Sequence, residues 1–346
     1  MRKEWKDLKS FDALCQTVNK ELKGNTVSQG MSEYSQDRIP FTSIMMNYCT
    51  HGGLPVYQAT EFRGAQYSGK TTSALDIISN YQADERFSSD GKILYADIEN
   101  RLDETWATTL GVNTDDLVIF KPAGQSAEYI LEFVQKAIET GELGLVVIDS
   151  IAAMFSEKEY EISLDDAAYG GISKPLTRFS KFMLGDLPKY KTTLIGINQP
   201  KPILNSPYGG TYTPGGKMWQ HACSVILEFR QGEFIGADCK DAGRSTDKPV
   251  GNRILMSTIK NSSCPPDRRT GNYTVRFDSG IDLIADIMDF AFKFDIIQGT
   301  SWFTIIDVET GEVLRDKIHG KGELNSVLTE DEELRNQVLE QIYKNI

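Results

Sequence analysis

The 346-residue chain has little of several things that would mark a function at once. Its five cysteines, Cys15, Cys49, Cys223, Cys239 and Cys264, are odd in number, widely spread and contain no C-x-x-C pair, which argues for reduced thiols and against a zinc site. No run of about 18 apolar residues exists, so no membrane-spanning helix is expected. The opening Met1-Arg2-Lys3-Glu4-Trp5 lacks the apolar centre of a signal peptide, and a cytoplasmic location is the expectation. Internal repeats and low-complexity segments are absent. So is an excess of positive charge: the net charge is −12. That counts against a broad nucleic-acid patch, although a narrow channel with local basic and glycine-rich loops remains compatible with it.

What is present is an apolar content of 40%, ordinary for a globular chain, and length enough for two or three domains. Residues 1–36 read as an appendage. Trp5 to Val18 carries apolar residues at helical spacing, and Gly24 to Gln36 is a polar linker. The body then alternates strand and helix. Strands are predicted over Val56–Phe62, Lys92–Asp97, Leu117–Phe120, Leu145–Asp149 and Thr192–Ile197. Helices are predicted over Ser73–Ser79, Thr105–Gly111, Ala127–Thr140 and Pro175–Leu184. Fully apolar strands between helices imply a mostly parallel sheet covered on both faces. After Gly216 the pattern changes to hairpin-linked strands over Ser224–Arg230, Arg253–Ile259 and Tyr273–Phe277. Residues 282–346 read as two helical runs around a strand pair near Trp302 and Val313, a small α+β domain.

The chemistry concentrates in Gly64-Ala65-Gln66-Tyr67-Ser68-Gly69-Lys70-Thr71, followed by Thr72. This is G-x-x-x-x-G-K-[ST] between a predicted strand and a predicted helix, the context a phosphate-binding loop requires. Its glycines let successive backbone N–H groups turn toward one anion, and the helix start adds partial positive charge. Lys70 can reach the β- and γ-phosphates of ATP, and the Thr71 hydroxyl can hold Mg²⁺. Asp149 ends a buried apolar strand, where a carboxylate is costly without a cation; beside such a loop it would hold the Mg²⁺ water shell, with Ser150 supporting it. ATP hydrolysis needs an acceptor that orients water. Glu99 and Asp97 both end the strand starting at Lys92, and alternation puts them on one face, so spacing does not choose between them. Asn198-Gln199 ends another strand and opens the stretch Pro200 to Gly216, rich in proline and glycine and holding Tyr208 and Tyr212. A loop this long inside a compact domain is usually functional or disordered. Gln199 would link the γ-phosphate to it.

The ordered series resembles the RecA recombinase family, including its phage-encoded members. It runs from His51-Gly52-Gly53-Leu54-Pro55 and the glycine loop through Asp97-Ile98-Glu99-Asn100-Arg101-Leu102-Asp103, Val146-Val147-Ile148-Asp149-Ser150, Ile197-Asn198-Gln199, Thr213-Pro214-Gly215-Gly216 and Ile259-Lys260-Asn261 to Asp278-Ser279-Gly280-Ile281-Asp282. The resemblance implies a RecA-type P-loop NTPase core of α/β class, spanning residues 37–280. An N-terminal oligomerisation arm (1–36) precedes it and a C-terminal α+β domain (281–346) follows. It implies Glu99 as the water-activating glutamate, Asp103, Trp106 and Phe277 beside adenine, and Lys260 reaching a neighbour's ATP. Two DNA loops are implied at 156–171 and 200–215, with Tyr169, Gly170, Lys174, Lys181, Tyr208, Tyr212, Gly215 and Gly216 toward DNA. The implied function is an ATP- and Mg²⁺-dependent recombinase that forms filaments on single-stranded DNA and pairs it with homologous duplex. Single-strand-binding and loading proteins are implied partners. The chain departs from the family pattern in an acidic first loop (Glu157, Glu159, Glu161, Asp165, Asp166) and in uncharged Ser262 and Gln220 at two further interface lysine positions. Lys217, Arg268 and Arg269 are candidates to replace them. A ring-forming helicase would be told apart by closed rings, and a recombination mediator by the absence of strand-exchange product.

Overall fold

The structure is a computed structural model that describes residues 10–21, 37–88, 91–161, 171–203, 210–236, 248–262, 264–265 and 267–346. The chain divides into two compact units, Met1–Asp37 and Arg38–Ile346. In the first, α1 (Phe11–Glu21) covers residues 11–18 of the expected helix and runs on to Glu21, while residues 5–9 lie outside the described residues.

The second unit opens with β1 (Arg38–Ile39), α2 (Ile44–Thr50) and β2 (Leu54–Pro55). Then come β3 (Ala59–Gly64), α3 (Lys70–Ala83), α4 (Glu85–Ser88), β4 (Lys92–Asp97), α5 (Glu104–Thr109), β5 (Leu117–Phe120), α6 (Ala127–Glu139), β6 (Leu143–Asp149), α7 (Glu157–Glu161), α8 (Ser173–Lys189) and β7 (Thr193–Asn198). After the short strands β8 (Lys201–Pro202) and β9 (Thr211–Tyr212) follow α9 (Gly216–Ala222), β10 (Cys223–Ile235), β11 (Gly251–Asn261), β12 (Thr270–Arg276) and β13 (Gly280–Ile281). The chain closes with α10 (Leu283–Lys293), β14 (Ile297–Gly299), β15 (Trp302–Ile306), β16 (Val313–His319), α11 (Gly320–Glu330) and α12 (Glu332–Asn345).

Nine strands form one sheet in the order β13-β12-β11-β10-β3-β7-β6-β4-β5. The pairs from β10 to β5 are parallel and those from β10 to β13 antiparallel. Alternation along the central strands explains the two layers of helix. Ile93, Tyr95, Leu145, Val147, Ile195 and Ile197 enter one core with α3. Leu94, Ala96, Val146, Ile148 and Leu194 enter the other with α6 and α8. Buried on both faces, such strands read as continuous apolar runs. The edge strand β5 is the exception, with Val118 and Ile119 exposed.

The structure corrects three sequence expectations. The strand before the glycine loop starts at Ala59, not Val56. Residues 282–346 hold three helices and a three-stranded antiparallel sheet, not two helices around a strand pair. Their apolar cluster runs from Ile287 to Ile342 and includes Ile44 of α2. The loop expected to lack regular structure has paired ends: Lys201 and Pro202 of β8 face Tyr212 and Thr211 of β9. Among the described residues no helix is long and apolar enough to cross a membrane.

Candidate nucleotide site and the elements around it

The glycine loop joins the end of β3 to the start of α3 because two of its residues must be glycine. A Cβ on Gly64 would lie 2.2 Å from the Phe229 carbonyl oxygen and 2.6 Å from Ser68 Oγ. Gly69 caps α3 with φ 89°, a left-handed conformation costly for other residues. Gln66 and Tyr67 lie on the exposed outer turn, Tyr67 at 77% exposure. Lys70 is buried at the base, and its Nζ donates to Ala65 O at 2.6 Å. Burial lowers its pKa, while Asp149 and Glu99 act in the opposite direction. A buried ammonium at the base of a glycine loop that opens a helix is suited to an anion.

Thr71, on the first turn of α3, donates its hydroxyl to Asp149 Oδ2 at 2.9 Å. Tyr95 donates to the same oxygen at 2.8 Å. Burial raises the Asp149 pKa, and these two hydrogen bonds counter it. Tyr95 was missed in the sequence; a tyrosine on an inward strand position next to a strand-end aspartate is the signal that could have found it. The pair Thr71–Asp149 supplies a hydroxyl and a carboxylate to one point, a donor set that fits Mg²⁺.

The geometry separates Asp97 from Glu99. Strand β4 ends at Asp97, and its buried carboxylate accepts the backbone N–H groups of Arg101 and Leu102 at 3.0 and 3.2 Å. Glu99 lies beyond the strand, so alternation does not continue to it. Its Oε1 accepts from Gln199 Nε2 at 2.9 Å and Ser150 Oγ at 2.5 Å, and Arg101 lies 3.5 Å from Oε2. Ser150, expected beside the metal, therefore serves Glu99 instead.

Asp103 caps α5, accepting the Trp106 N–H at 2.8 Å, and Trp106 Nε1 donates to Thr72 Oγ1 at 3.3 Å. Phe277 is 49% exposed. A cleft of about 800 Å³ runs beside the glycine loop and is lined by Gly64, Ala65, Tyr212, Gly215, Gly216 and Lys217. The structure thus brings Gly215, Gly216 and Tyr212 next to the glycine loop. Arg63, Glu228 and Arg230 form an ion triad at its wall, with contacts of 3.0 and 2.5 Å, which the sequence did not reveal. Burial would raise the Glu228 pKa, but the two arginines hold it below its ordinary value.

Lys174 and Lys181 are exposed on α8, two turns apart, with Arg178 on the same stripe between them. Arg178 escaped the sequence reading, although its i+4 spacing from Lys174 was available. Tyr169, Gly170 and Tyr208 lie outside the described residues. Lys260 Nζ donates to the carbonyls of Gln220, His221 and Cys223 at 3.0, 3.0 and 2.5 Å, at the end of α9. Of the candidate replacement cations, Arg268 is already engaged, donating to Ile346 O at 3.0 Å and stacking 4.3 Å above Tyr48. Lys217 lines the cleft.

A family model described as the RecA N-terminal domain matches residues 9–282. Protein RecA of Fusobacterium nucleatum is 30% identical over 300 residues, covering 86% of this chain and 75% of that protein. Protein RecA of Campylobacter jejuni subsp. doylei is 29% identical over 344 residues, 98% of this chain and 94% of its own. Protein RecA of Bifidobacterium longum is 30% identical over 330 residues, 94% and 78% of the two chains.

Proposed function

The chain belongs to the RecA family, and from that premise we propose that it is a DNA-dependent ATPase that polymerises on single-stranded DNA and exchanges strands with homologous duplex. The observation that carries the reading is the convergence of Glu99 and Gln199 at 2.9 Å, where Gln199 opens the 200–216 loop. Backbone N–H groups of 64–70 and the Lys70 ammonium would hold the triphosphate of ATP. Thr71 and Asp149 would hold Mg²⁺, which when bound offsets charge developing on the phosphates. Glu99, freed from Gln199, would orient the attacking water as its proton acceptor. Gln199 would then report on the γ-phosphate. Trp106 and Phe277 would flank adenine, with Asp103 contacting its edge while capping α5.

Single-stranded DNA would run past Lys174, Lys181 and Tyr212, with Gly215 and Gly216 allowing close backbone approach and Tyr169, Gly170 and Tyr208 completing the loops. Phosphate contacts and stacking hold DNA without reading its sequence. Residues 1–36 serve in this proposal as the oligomerisation arm, 37–280 as the ATPase core and 281–346 as an appended domain, in a cytoplasmic protein helped by single-strand-binding and loading proteins.

The test combines hydrolysis with microscopy. Wild type should hydrolyse ATP faster with single-stranded DNA and form open helical filaments with a non-hydrolysable analogue. Lys70→Ala should lose nucleotide binding or turnover with its fold intact. Closed rings would favour a helicase, and ATP binding without strand-exchange product would favour a mediator. Wild-type turnover in folded Lys70→Ala would remove the phosphate-binding role.

A further inference from the structure

Glu61 sits in the middle of β3, fully buried, three residues before the glycine loop. An acid in a strand covered on both faces is costly unless its oxygens are paired. Only one is: Asn198 Nδ2 donates to Glu61 Oε1 at 2.9 Å. Oε2 has no partner among the described residues, and neither has the buried indole Nε1 of Trp219 on α9. Glu61 pairs in register with Gly196 of β7, which sets the indole beside the carboxylate, and the indole favours its charged form. An unused acceptor and an unused donor therefore face each other in a dry core. Gly196 of β7 makes room for this arrangement, since a Cβ there would lie 2.5 Å from the Trp219 ring.

Asn198 is the other half. Its Nδ2 also donates to Pro214 O at 2.9 Å, and its Oδ1 accepts the Gln199 N–H at 3.0 Å. One amide thus ties Gln199 at the start of the second loop to Pro214 at its end, and both to Glu61. If Gln199 leaves Glu99, Asn198 is drawn with it, and Glu61 loses its single neutral partner. The Trp219 N–H is the replacement already in place. A buried polar network with one bond made and one donor waiting offers two arrangements, the requirement for a switch.

We propose that Glu61 is a positioning residue that exchanges Asn198 for Trp219 when Gln199 moves, and so carries nucleotide state from the phosphate end of the site to Pro214 and α9. This rests on the reading of residues 64–71 as an ATP site. The exchange moves hydrogen bonds only; no covalent bond or net proton changes place. It also gives Trp219 a role that packing alone does not supply, because its N–H has no hydrogen-bond partner among the described residues.

Amide hydrogen exchange of the full chain with and without a non-hydrolysable ATP analogue and Mg²⁺ tests it. In wild type, the analogue should slow exchange in 64–72 and alter it in 211–222. In Glu61→Gln the first effect should persist and the second fall at least fivefold. Trp219→Phe is the second variant, removing the indole N–H together with part of a fully buried ring. It should melt below wild type because it leaves a cavity and, where folded, lose the 211–222 response as Glu61→Gln does without one. The relay is overturned if folded Trp219→Phe keeps the full 211–222 response, or if wild type shows protection at 64–72 with none of the change at 211–222. Absence of protection at 64–72 in wild type would instead sink the nucleotide-site reading, and the relay with it.

Discussion

At the scale of single residues, the two acids at the end of β4 have different tasks because the strand stops between them. Asp97 is consumed by two backbone N–H groups of the following turn. Among the described residues Glu99 is held by side chains, Ser150, Gln199 and Arg101, which can rearrange. Glu99→Gln keeps the size and removes the carboxylate proposed as proton acceptor. It should bind ATP normally and hydrolyse it about 10²–10⁴-fold more slowly, the range for loss of a general base. Asp97→Asn should mainly lower stability; equal losses of turnover in folded forms of both would return the choice to where spacing left it. A second residue-scale consequence concerns pH. Asp286 of α10 is buried, accepting from Ser43 Oγ at 2.5 Å and Met45 N at 3.1 Å, and Asp76 of α3 accepts the Thr42 N–H at 3.0 Å. Burial raises Asp286 to about 7 and Asp76 to about 6, from 3.8, and Asp289 and Asp282 push Asp286 the same way. The folded state therefore holds protons that the unfolded chain has released. Stability should fall as pH rises from about 4 to 7, because the slope follows the difference in bound protons. Denaturant titrations of wild type and Asp286→Asn across that window check it: the variant should show the shallower decline, and an identical slope would exclude Asp286 as a contributor.

At the scale of elements, legibility followed physical distinctness. Strands β4 and β5 stood in the sequence at their observed bounds, and β6 and β7 within two residues, because apolar runs flanked by polar turns leave no alternative. The helix α8 was under-read: Ser173 and Lys174 precede Pro175, and proline at a first turn extends a helix without needing its N–H. The glycine loop, Asp149 and Gln199 were legible as chemistry. The hydrogen bond between Glu99 and Gln199, the Tyr95 contact and the Glu61 cluster were not, since each joins strands distant in sequence and depends on sheet order. The lysine stripe of α8 tests the element's outer face. Lys174, Arg178 and Lys181 project from one side. Each phosphate contact on a single strand adds about 0.7 to the salt dependence of binding. Lys174→Ala should reduce the slope of log affinity against log salt by roughly that amount, measured by fluorescence anisotropy with a labelled oligonucleotide. An unchanged slope would remove this face from the DNA path.

At the scale of the whole molecule, the charge of −12 means that a basic DNA path has to be local, and that assembly has to overcome repulsion between like-charged copies. In the proposed assembly Lys260 would connect neighbouring subunits to the chemistry. In the single chain its ammonium is held by three carbonyls at the end of α9, a favourable place for a cation on a helix C-terminus. The resemblance has the same lysine reaching a neighbour's ATP, and Ser262 and Gln220 supply no second charge. Lys260 cannot do both at once, so in the proposed filament association would draw it from α9 onto the phosphates, where it would stabilise charge developing in the transition state. Two effects of Lys260→Ala then separate. Loss of the α9 contacts should lower stability by about 0.3–1 kcal/mol at any protein concentration. Loss of the contact in trans should remove most of the DNA stimulation of hydrolysis and spare the basal rate. In wild type, specific activity on DNA should climb with protein concentration as neighbours meet, and in Lys260→Ala that climb should be flat. If the variant is destabilised and still climbs as wild type does, Lys260 is a helix cap and nothing more. The cation at the interface is then to be sought at Lys217, which already lines the cleft beside the glycine loop.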